Sequence, residues 1–488
     1  MASSASRPSD PIARLPRRML PTDAVFWFAE EASPGMRSAG AALLLLKRAP
    51  DSLRLRAVVE RAVRETPRLR QKVVESPFHL RLPEWVEDPH MDLDYHLRRE
   101  AVASPGDEAQ LLIRAAVLLA SPLDHARPLW ETHVIEGLQG GRAAVLFKFH
   151  HSLMDGVGSL ALLDRFTEKD AHGCRTGASP RPLAFGLRLP PAVALARDLT
   201  LSATAVARDA ASAVLHPLMS ARRAARLARG AVGLIRDLNR TPIQNPIAEG
   251  AAGISRRIDR WEVSLSDLHR VSAATRATIN DLVLTAVSGA VGRYHALRGV
   301  RMHTLHAMVP VNLREESARH LLGNHVGMLN VELPVGQNDP ARRLAYIQAR
   351  TGAAKRDRRS ALYPFLTRVV TMLPAVVFRE ILKKSVGRTN LLCTNVPGSE
   401  QRIWLAGREV QAFVPLAPVV EGSPLSIALF SYGDKLEIGI TTDPEAIPDP
   451  DKLRAHLADA FEETLALGGA LKPKSVRSHA KKCRGRRR

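Results

Sequence analysis

Cysteine is scarce in this chain. Its 488 residues hold three, Cys174, Cys393 and Cys483, odd in number and far apart. They cannot be paired into a disulfide framework, they point to a reducing compartment, and their spacing is not that of a zinc site. Long apolar runs are missing too. Ala39–Leu46 is eight residues, against the roughly 20 that a membrane-spanning helix needs. The opening stretch, MASSASRPSDPIARLPRRML, has no apolar h-region, so no signal peptide is predicted. There is no Gly-rich loop of Walker type and no Gly-x-Gly-x-x-Gly after a strand. Gly-x-Ser-x-Gly and His-Glu-x-x-His are absent as well, which leaves no support for a hydrolase-type serine nucleophile or for a metal. Acid is short of base: 49 Asp+Glu stand against 70 Lys+Arg, for a net charge of +21.

What remains is an ordinary globular composition, 45% hydrophobic and 24% charged, with core enough for two or three domains. The positive excess is concentrated. Residues 471–488 hold nine Lys/Arg and no acid, and 188–240 hold nine Arg against three Asp. A solvated, disordered tail is one reading of the first segment. Attraction to anionic lipid headgroups is another, worth about 1 kcal/mol per basic residue near the surface. Neither a zinc-finger spacing nor an RNA-binding sheet motif accompanies the charge, so no nucleic acid is expected.

The pattern divides the chain into a polar lead (1–19), a first mixed α/β domain (20–180), an Ala/Arg-rich helical connector (181–250), a second mixed α/β domain (251–470) and a basic tail (471–488). Strands are predicted at Ala39–Lys47, Arg142–His151, His303–Val311, His325–Leu333, Thr389–Val396, Val410–Val414 and Leu425–Ser431. Lys435–Thr441 should pair with the last of these through the Gly433-Asp434 turn. Helices are predicted at Ser52–Val63, capped by Asp51 or Ser52, at Thr278–Val291, and at Asp451–Leu467. The two halves have similar size and content, which fits two related domains.

The stretch that carries chemistry runs from Phe147 to Gly158, FKFHHSLMDGVG. Val145, Phe147, Phe149 and His151 alternate onto one strand face, and Leu146, Lys148 and His150 onto the other. Spacing then turns helical through Val157, Leu160, Leu163 and Phe166. Two histidines thus end a strand where a tight loop opens a helix, a place from which a rigid scaffold presents reactive groups. An imidazole with an ordinary pKa near 6.5 suits a general base. Taking a proton from an alcohol would let its oxygen attack an activated acyl carbonyl. Asp155 can fix the local turn or pair with an Arg, and Gly156 permits a backbone that a Cβ would block. The bland alternative is a structural histidine pair.

HHSLMDG resembles the His-His-x-x-x-Asp-Gly signature of the chloramphenicol-acetyltransferase-like acyltransferases. LPTDAVFWFAE (20–30), PLWETHVIEGL (128–138), INDLVLTAVSGAV (279–291), PVNLR (310–314) and LGNHVGMLNVELPV (322–335) narrow the resemblance to the bacterial wax ester synthase/diacylglycerol acyltransferase family, over roughly residues 15–467. The resemblance implies an α/β fold of two similar domains joined by a helical connector, with a tunnel between them. It implies His151 as catalytic base, His150 as its supporting neighbour and Asp155 as an orienting residue, with Arg314 a candidate salt-bridge partner. Long-chain acyl-CoA would be the donor and diacylglycerol or a fatty alcohol the acceptor, with no cofactor, no metal and no covalent acyl-enzyme.

Four further residues are candidate substrate contacts, each with a structural alternative. Asn280 opens the 279–291 helix and could supply an amide to the oxyanion. Asp281 could serve there too, although Thr278-x-x-Asp281 reads as a capping box. Trp130 could shape the tunnel mouth or simply pack in the core. Asn324 could line the cleft or start a strand. Thr394-Asn395-Val396-Pro397-Gly398 ends a predicted strand and resembles a cleft loop of the superfamily. The expected location is cytoplasmic, peripheral on the plasma membrane or a lipid droplet. Two other functions remain open: a same-fold condensation enzyme using a carrier-bound donor, and a non-catalytic protein that coats lipid surfaces.

Overall fold

The computed structural model describes residues 16–75, 82–154, 156–170, 245–246, 253–312, 326–356, 381 and 389–469. Asp155, Arg314 and Asn324 lie outside the described residues, as do nearly all of the predicted connector and the basic tail.

Two six-stranded sheets carry the fold. The first half begins with α1 (Pro21–Ala32), β1 (Ala39–Leu46) and α2 (Ser52–Glu65). There follow β2 (Gln71–Val74), β3 (Glu84–Glu87), α3 (Leu93–His96), β4 (Leu97–Ala101), α4 (Glu108–Ala120), β5 (Trp130–Glu136), β6 (Ala143–His150) and α5 (Gly156–Phe166). The second half holds β7 (Arg257–Ser264), α6 (Leu265–Thr275), α7 (Ile279–Leu297), β8 (Leu305–Asn312), β9 (Val326–Leu333), α8 (Pro340–Arg356) and β10 (Leu391–Ser399). It closes with β11 (Trp404–Leu405), β12 (Arg408–Leu416), β13 (Leu425–Tyr432), β14 (Lys435–Thr442) and α9 (Pro450–Ala466).

Local chemistry accounts for the main elements. Pro21 occupies the first turn of α1, where its missing N–H costs nothing. Asp51 caps α2 by accepting from the Arg54 amide at 2.8 Å. Asp107 and Gln110 close a reciprocal capping box on α4, and Thr278 and Asp281 close the predicted one on α7. Tyr432 pairs with Lys435 across a two-residue Gly433-Asp434 loop, with Gly433 at φ 59°, so the predicted hairpin is present. The strand predicted to stop before Pro397-Gly398 instead continues to Ser399. A register shift after Val396 absorbs the proline, and the Gly398 amide donates to Ser431 Oγ at 2.9 Å.

Sheet order is β11-β12-β1-β6-β5-β4 in the first sheet and β7-β14-β13-β10-β8-β9 in the second. The membership of β12 is not visible in the sequence pattern. It follows β10 by a few residues, yet it pairs antiparallel with β1, Leu43 opposite Val414. The two halves therefore interlock. One face of the first sheet packs Leu44, Leu46 and Val145 against α1, α2 and α5. The other packs Leu43, Leu45 and Leu146 against α4. A third core joins the second sheet to α6, α7, α8 and α9.

Where the sheets meet, backbone touches backbone. A Cβ built on the buried Gly439 of β14 would stand 1.7 Å from the carbonyl oxygen of Pro415 in β12. No rotamer relieves a clash with main chain. Gly439→Ala is expected to lower stability by about 3 kcal/mol or more, the upper end of an overpacking penalty. The check is its midpoint in thermal or urea unfolding beside that of Gly433→Ala, which adds a Cβ in open space but at a positive φ and so costs about 1 kcal/mol.

Candidate active site

The site forms where β6 ends, beneath α1. Helical spacing sets Phe26, Trp27 and Glu30 on one face of α1. Phe26 stacks on the His151 ring, centroids 5.1 Å apart, and Trp27 meets the His150 ring edge-on at 6.1 Å. Glu30 reaches His150, its Oε2 lying 2.9 Å from Nε2.

His150 is 1% exposed and its hydrogen bonds fix its tautomer. The Ser152 amide donates to Nδ1 at 3.1 Å, so Nδ1 carries a lone pair. Nε2 then carries a proton and donates to Glu30. Ser152 Oγ, also buried, sits 2.7 Å from Nδ1. Burial works against a charge on Glu30, but His125 and His150 beside it and the Ser38 amide at 3.1 Å outweigh that cost. They hold its carboxyl well below the usual carboxylate range.

His151 is held differently. Its backbone N–H donates to the Ser38 carbonyl at 2.8 Å, while its ring is half-buried between Phe26 and the edge of Phe149. The next three residues turn away: Leu153 N–H returns to the His150 carbonyl at 2.9 Å, and Ser152, Leu153 and Met154 are sealed in the core. Gly40, on β1, faces the ring. A Cβ there would stand 3.3 Å from His151 Nε2 and 3.4 Å from the Leu416 carbonyl of β12. Gly40 thus has this imidazole on one side and β12, from the late part of the chain, on another.

Glu30, His125 and His150 offer ligand atoms within 4.8 Å of one another, a spacing open to a metal ion. The hydrogen bonds favour another use. A metal on His150 Nε2 would displace that proton and move it to Nδ1, which already faces the Ser152 N–H. The donor set fits a hydrogen-bonded cluster around the Glu30 carboxylate better than a ligand set.

The remaining predicted residues fall into separate places. Gly156 begins α5. Trp130 is 3% exposed, stacked on His96 at 4.5 Å, and its indole donates to the Leu69 carbonyl at 2.8 Å, so it packs in the core. Asp281 is spent inside its own half: Oδ2 accepts from the Thr278 N–H and hydroxyl at 2.9 and 2.7 Å, and Oδ1 from the Thr351 hydroxyl at 2.7 Å. Its structural alternative has the geometry in its favour. Asn280 is joined to Asn395 of β10, whose amide donates to its Oδ1 at 2.6 Å. His150 takes Glu30 and Ser152 as side-chain partners rather than any of these. Sequence reasoning missed Phe26, Glu30, Ser38, Gly40 and His125. The signal available was the aromatic-to-acid spacing of i, i+3 and i+4 on an amphipathic helix.

The comparisons agree with this architecture. The catalytic-domain model of the wax ester synthase/diacylglycerol acyltransferase family matches residues 19–283, and the C-terminal-domain model of that family matches residues 322–464. A Mycobacterium tuberculosis relative assigned as a diacylglycerol O-acyltransferase is 32% identical over 455 residues, covering 91% of each chain. Tgs1 of the same organism, assigned likewise, is 30% identical over 465 residues and covers 91% of this chain and 95% of its own. The wax ester synthase/diacylglycerol acyltransferase of Marinobacter aquaeolei VT8 superposes with a TM-score of 0.64 at 22% identity, covering 93% of this chain and all of that one. The first condensation domain of the calcium-dependent antibiotic synthetase superposes at 0.60 and 17% identity, covering 93% and 96%. The chain belongs to the wax ester synthase/diacylglycerol acyltransferase family and is an acyltransferase of the two-domain, chloramphenicol-acetyltransferase-like fold.

Two outcomes follow from the geometry. Glu30 is more acidic folded than unfolded, so it contributes stability above the ordinary value of 4.5, and that stability is lost as pH falls below it. Glu30→Gln should therefore flatten the acid limb of a stability–pH curve below about pH 5, read by urea midpoints. Gly40→Ala should leave the fold in place and lower turnover by at least about tenfold, since a small displacement of a reacting group is costly. Unchanged kcat in a folded Gly40→Ala protein would separate His151 from the reaction.

Proposed function

We propose that the protein transfers a long-chain acyl group from acyl-CoA to the hydroxyl of diacylglycerol, giving triacylglycerol, with fatty alcohol as a second acceptor giving wax ester. The observation that carries this reading is the half-buried His151 ring at the end of β6, stacked on Phe26 and facing Gly40 of β1. The names of the mycobacterial relatives support diacylglycerol as acceptor.

His151 takes the hydroxyl proton as the alcohol oxygen attacks the thioester carbonyl carbon. The tetrahedral intermediate collapses with loss of the C–S bond, and the imidazolium returns its proton to the CoA thiolate. Bonds and protons balance between the two substrates and one imidazole, so the step requires no cofactor and no acyl-enzyme. His150, hydrogen-bonded to Glu30, supports the strand end that aims His151. Asn280 and Asn395 are candidates to steady the oxyanion, a task worth typically about 2.7–4 kcal/mol per donor. Asp155 would hold the turn after the histidines, with Arg314 as its partner. Asn324 would border the cleft.

No helix among the described residues is long and apolar enough to cross a membrane. The proposed location is the cytoplasmic face of a membrane or a lipid droplet, reached through the basic segments at 188–240 and 471–488.

Purified protein given palmitoyl-CoA with diacylglycerol and hexadecanol in competition should form triacylglycerol, with wax ester as the lesser product. His151→Ala should reduce both by about a thousandfold or more, beyond the hundredfold end of a general base's contribution, at unchanged melting temperature. A folded His151→Ala enzyme with more than about a tenth of wild-type turnover rules out this mechanism. Activity with a carrier-bound acyl donor but not with acyl-CoA rules out the donor.

A further inference from the structure

A cavity of about 900 Å³ opens between α4 and the start of β7, on the face of the first sheet opposite Gly40 and His151. That volume lies within the range of ligand sites. Three of the five large hydrophobic side chains exposed among the described residues line it: Ile113 at 66%, Val117 at 49% and Ile254 at 50%. Leu112 and Ala116 continue the same apolar strip along α4. Concentrated apolar exposure of this kind marks a binding surface.

The charged lining is unequal. Its three carboxylates are taken: Glu108 by Arg260, Asp259 by Arg257, and Asp451 by Arg257 and Arg454. Arg37 and Arg256 have no carboxylate at ion-pair distance among the described residues. Arg37 donates to the Ala120 carbonyl at 2.7 Å, and Arg256 to the carbonyls of Gly253, Ser255 and Val419. Each guanidinium keeps donors to spare. Both line this cavity and also the small recess beside it that reaches Ala39. Burial pushes Arg256 below the usual guanidinium value; Asp443 opposes that effect and the charge of Arg37 adds to it. Two like charges kept side by side at the end of an apolar strip are complementary to an amphiphilic anion.

We propose that this groove binds an anionic phospholipid of a lipid surface, with the phosphate between Arg37 and Arg256 and one acyl chain along Ile113 and Val117 of α4. The site is separate from the reacting imidazole and from the basic tail. It would seat the enzyme on a lipid surface through folded structure rather than diffuse charge alone.

The test is co-sedimentation of the full-length protein with phosphatidylcholine vesicles, with and without phosphatidylglycerol. Wild type should bind the vesicles containing phosphatidylglycerol and not the others. Arg256→Gln and Ile113→Glu should each weaken that binding by about tenfold, equivalent to about 1.4 kcal/mol, with turnover of a soluble short-chain acyl-CoA and alcohol unchanged. Val117→Ser, on the same exposed strip, replaces Ile113→Glu should the latter lose that turnover. Weakening by Arg256→Gln but not by either strip variant means a bare anion site and overturns the proposal. So does wild-type affinity in all variants with binding lost on removal of residues 475–488, which would assign the contact to the tail. Equal binding to pure phosphatidylcholine overturns it as well.

Discussion

The carboxylate of Glu30 is where three separate stretches of chain are fastened together. It belongs to α1, it accepts from the ring that ends β6, and it accepts from the Ser38 amide that leads into β1. Ser38 in turn receives the His151 N–H on its carbonyl. One ionised oxygen pair therefore holds His150 by its side chain and His151 through the backbone. A buried carboxylate is costly unless several donors share its charge. Here the donors are the residues that need to be placed, so the charge and the geometry depend on one another.

The second constraint is topological. Strand β12 is supplied by the late part of the chain and completes a sheet that the early part begins. Its Leu416 carbonyl ends beside Gly40 of β1, the glycine that faces His151 Nε2. Its Pro415 carbonyl presses on Gly439 of the second sheet. Two halves of a chain can ordinarily move apart, because inter-domain contacts are commonly small and polar. An eight-residue β1 ladder with β6 on one side and β12 on the other makes such separation a matter of breaking a sheet.

Local pattern made much of this legible. Alternation across residues 143–151 places His150 and His151 on opposite faces, and the structure separates them in that way. The Thr278–Asp281 cap and the Gly433-Asp434 hairpin follow from short-range chemistry and are both present. What the sequence hid was long-range. No periodicity says that β12 pairs across more than 360 positions with β1, nor that Glu30 lies beside His150. Asp281 shows the reverse difficulty: a polar residue in a motif stretch invites a chemical role, yet Thr278 and Thr351 consume all of its carboxylate. Trp130 is similar, its indole N–H already bonded to Leu69. Hydrogen-bond satisfaction is a property of folded neighbours, and a single sequence carries little of it.

Why two adjacent histidines should differ so sharply follows from the same accounting. His150 turns inward, where an amide donor faces Nδ1 and a carboxylate faces Nε2. To act as a base it would have to accept a proton at a nitrogen that already faces an N–H. His151, one residue later, turns to the other face, where the rings of Phe26 and Phe149 and the Cα of Gly40 lie beside it. The strand's period of two thus gives the two rings different neighbours, and a glycine at position 40 leaves room beside the second, since a Cβ there would stand 3.3 Å from its Nε2.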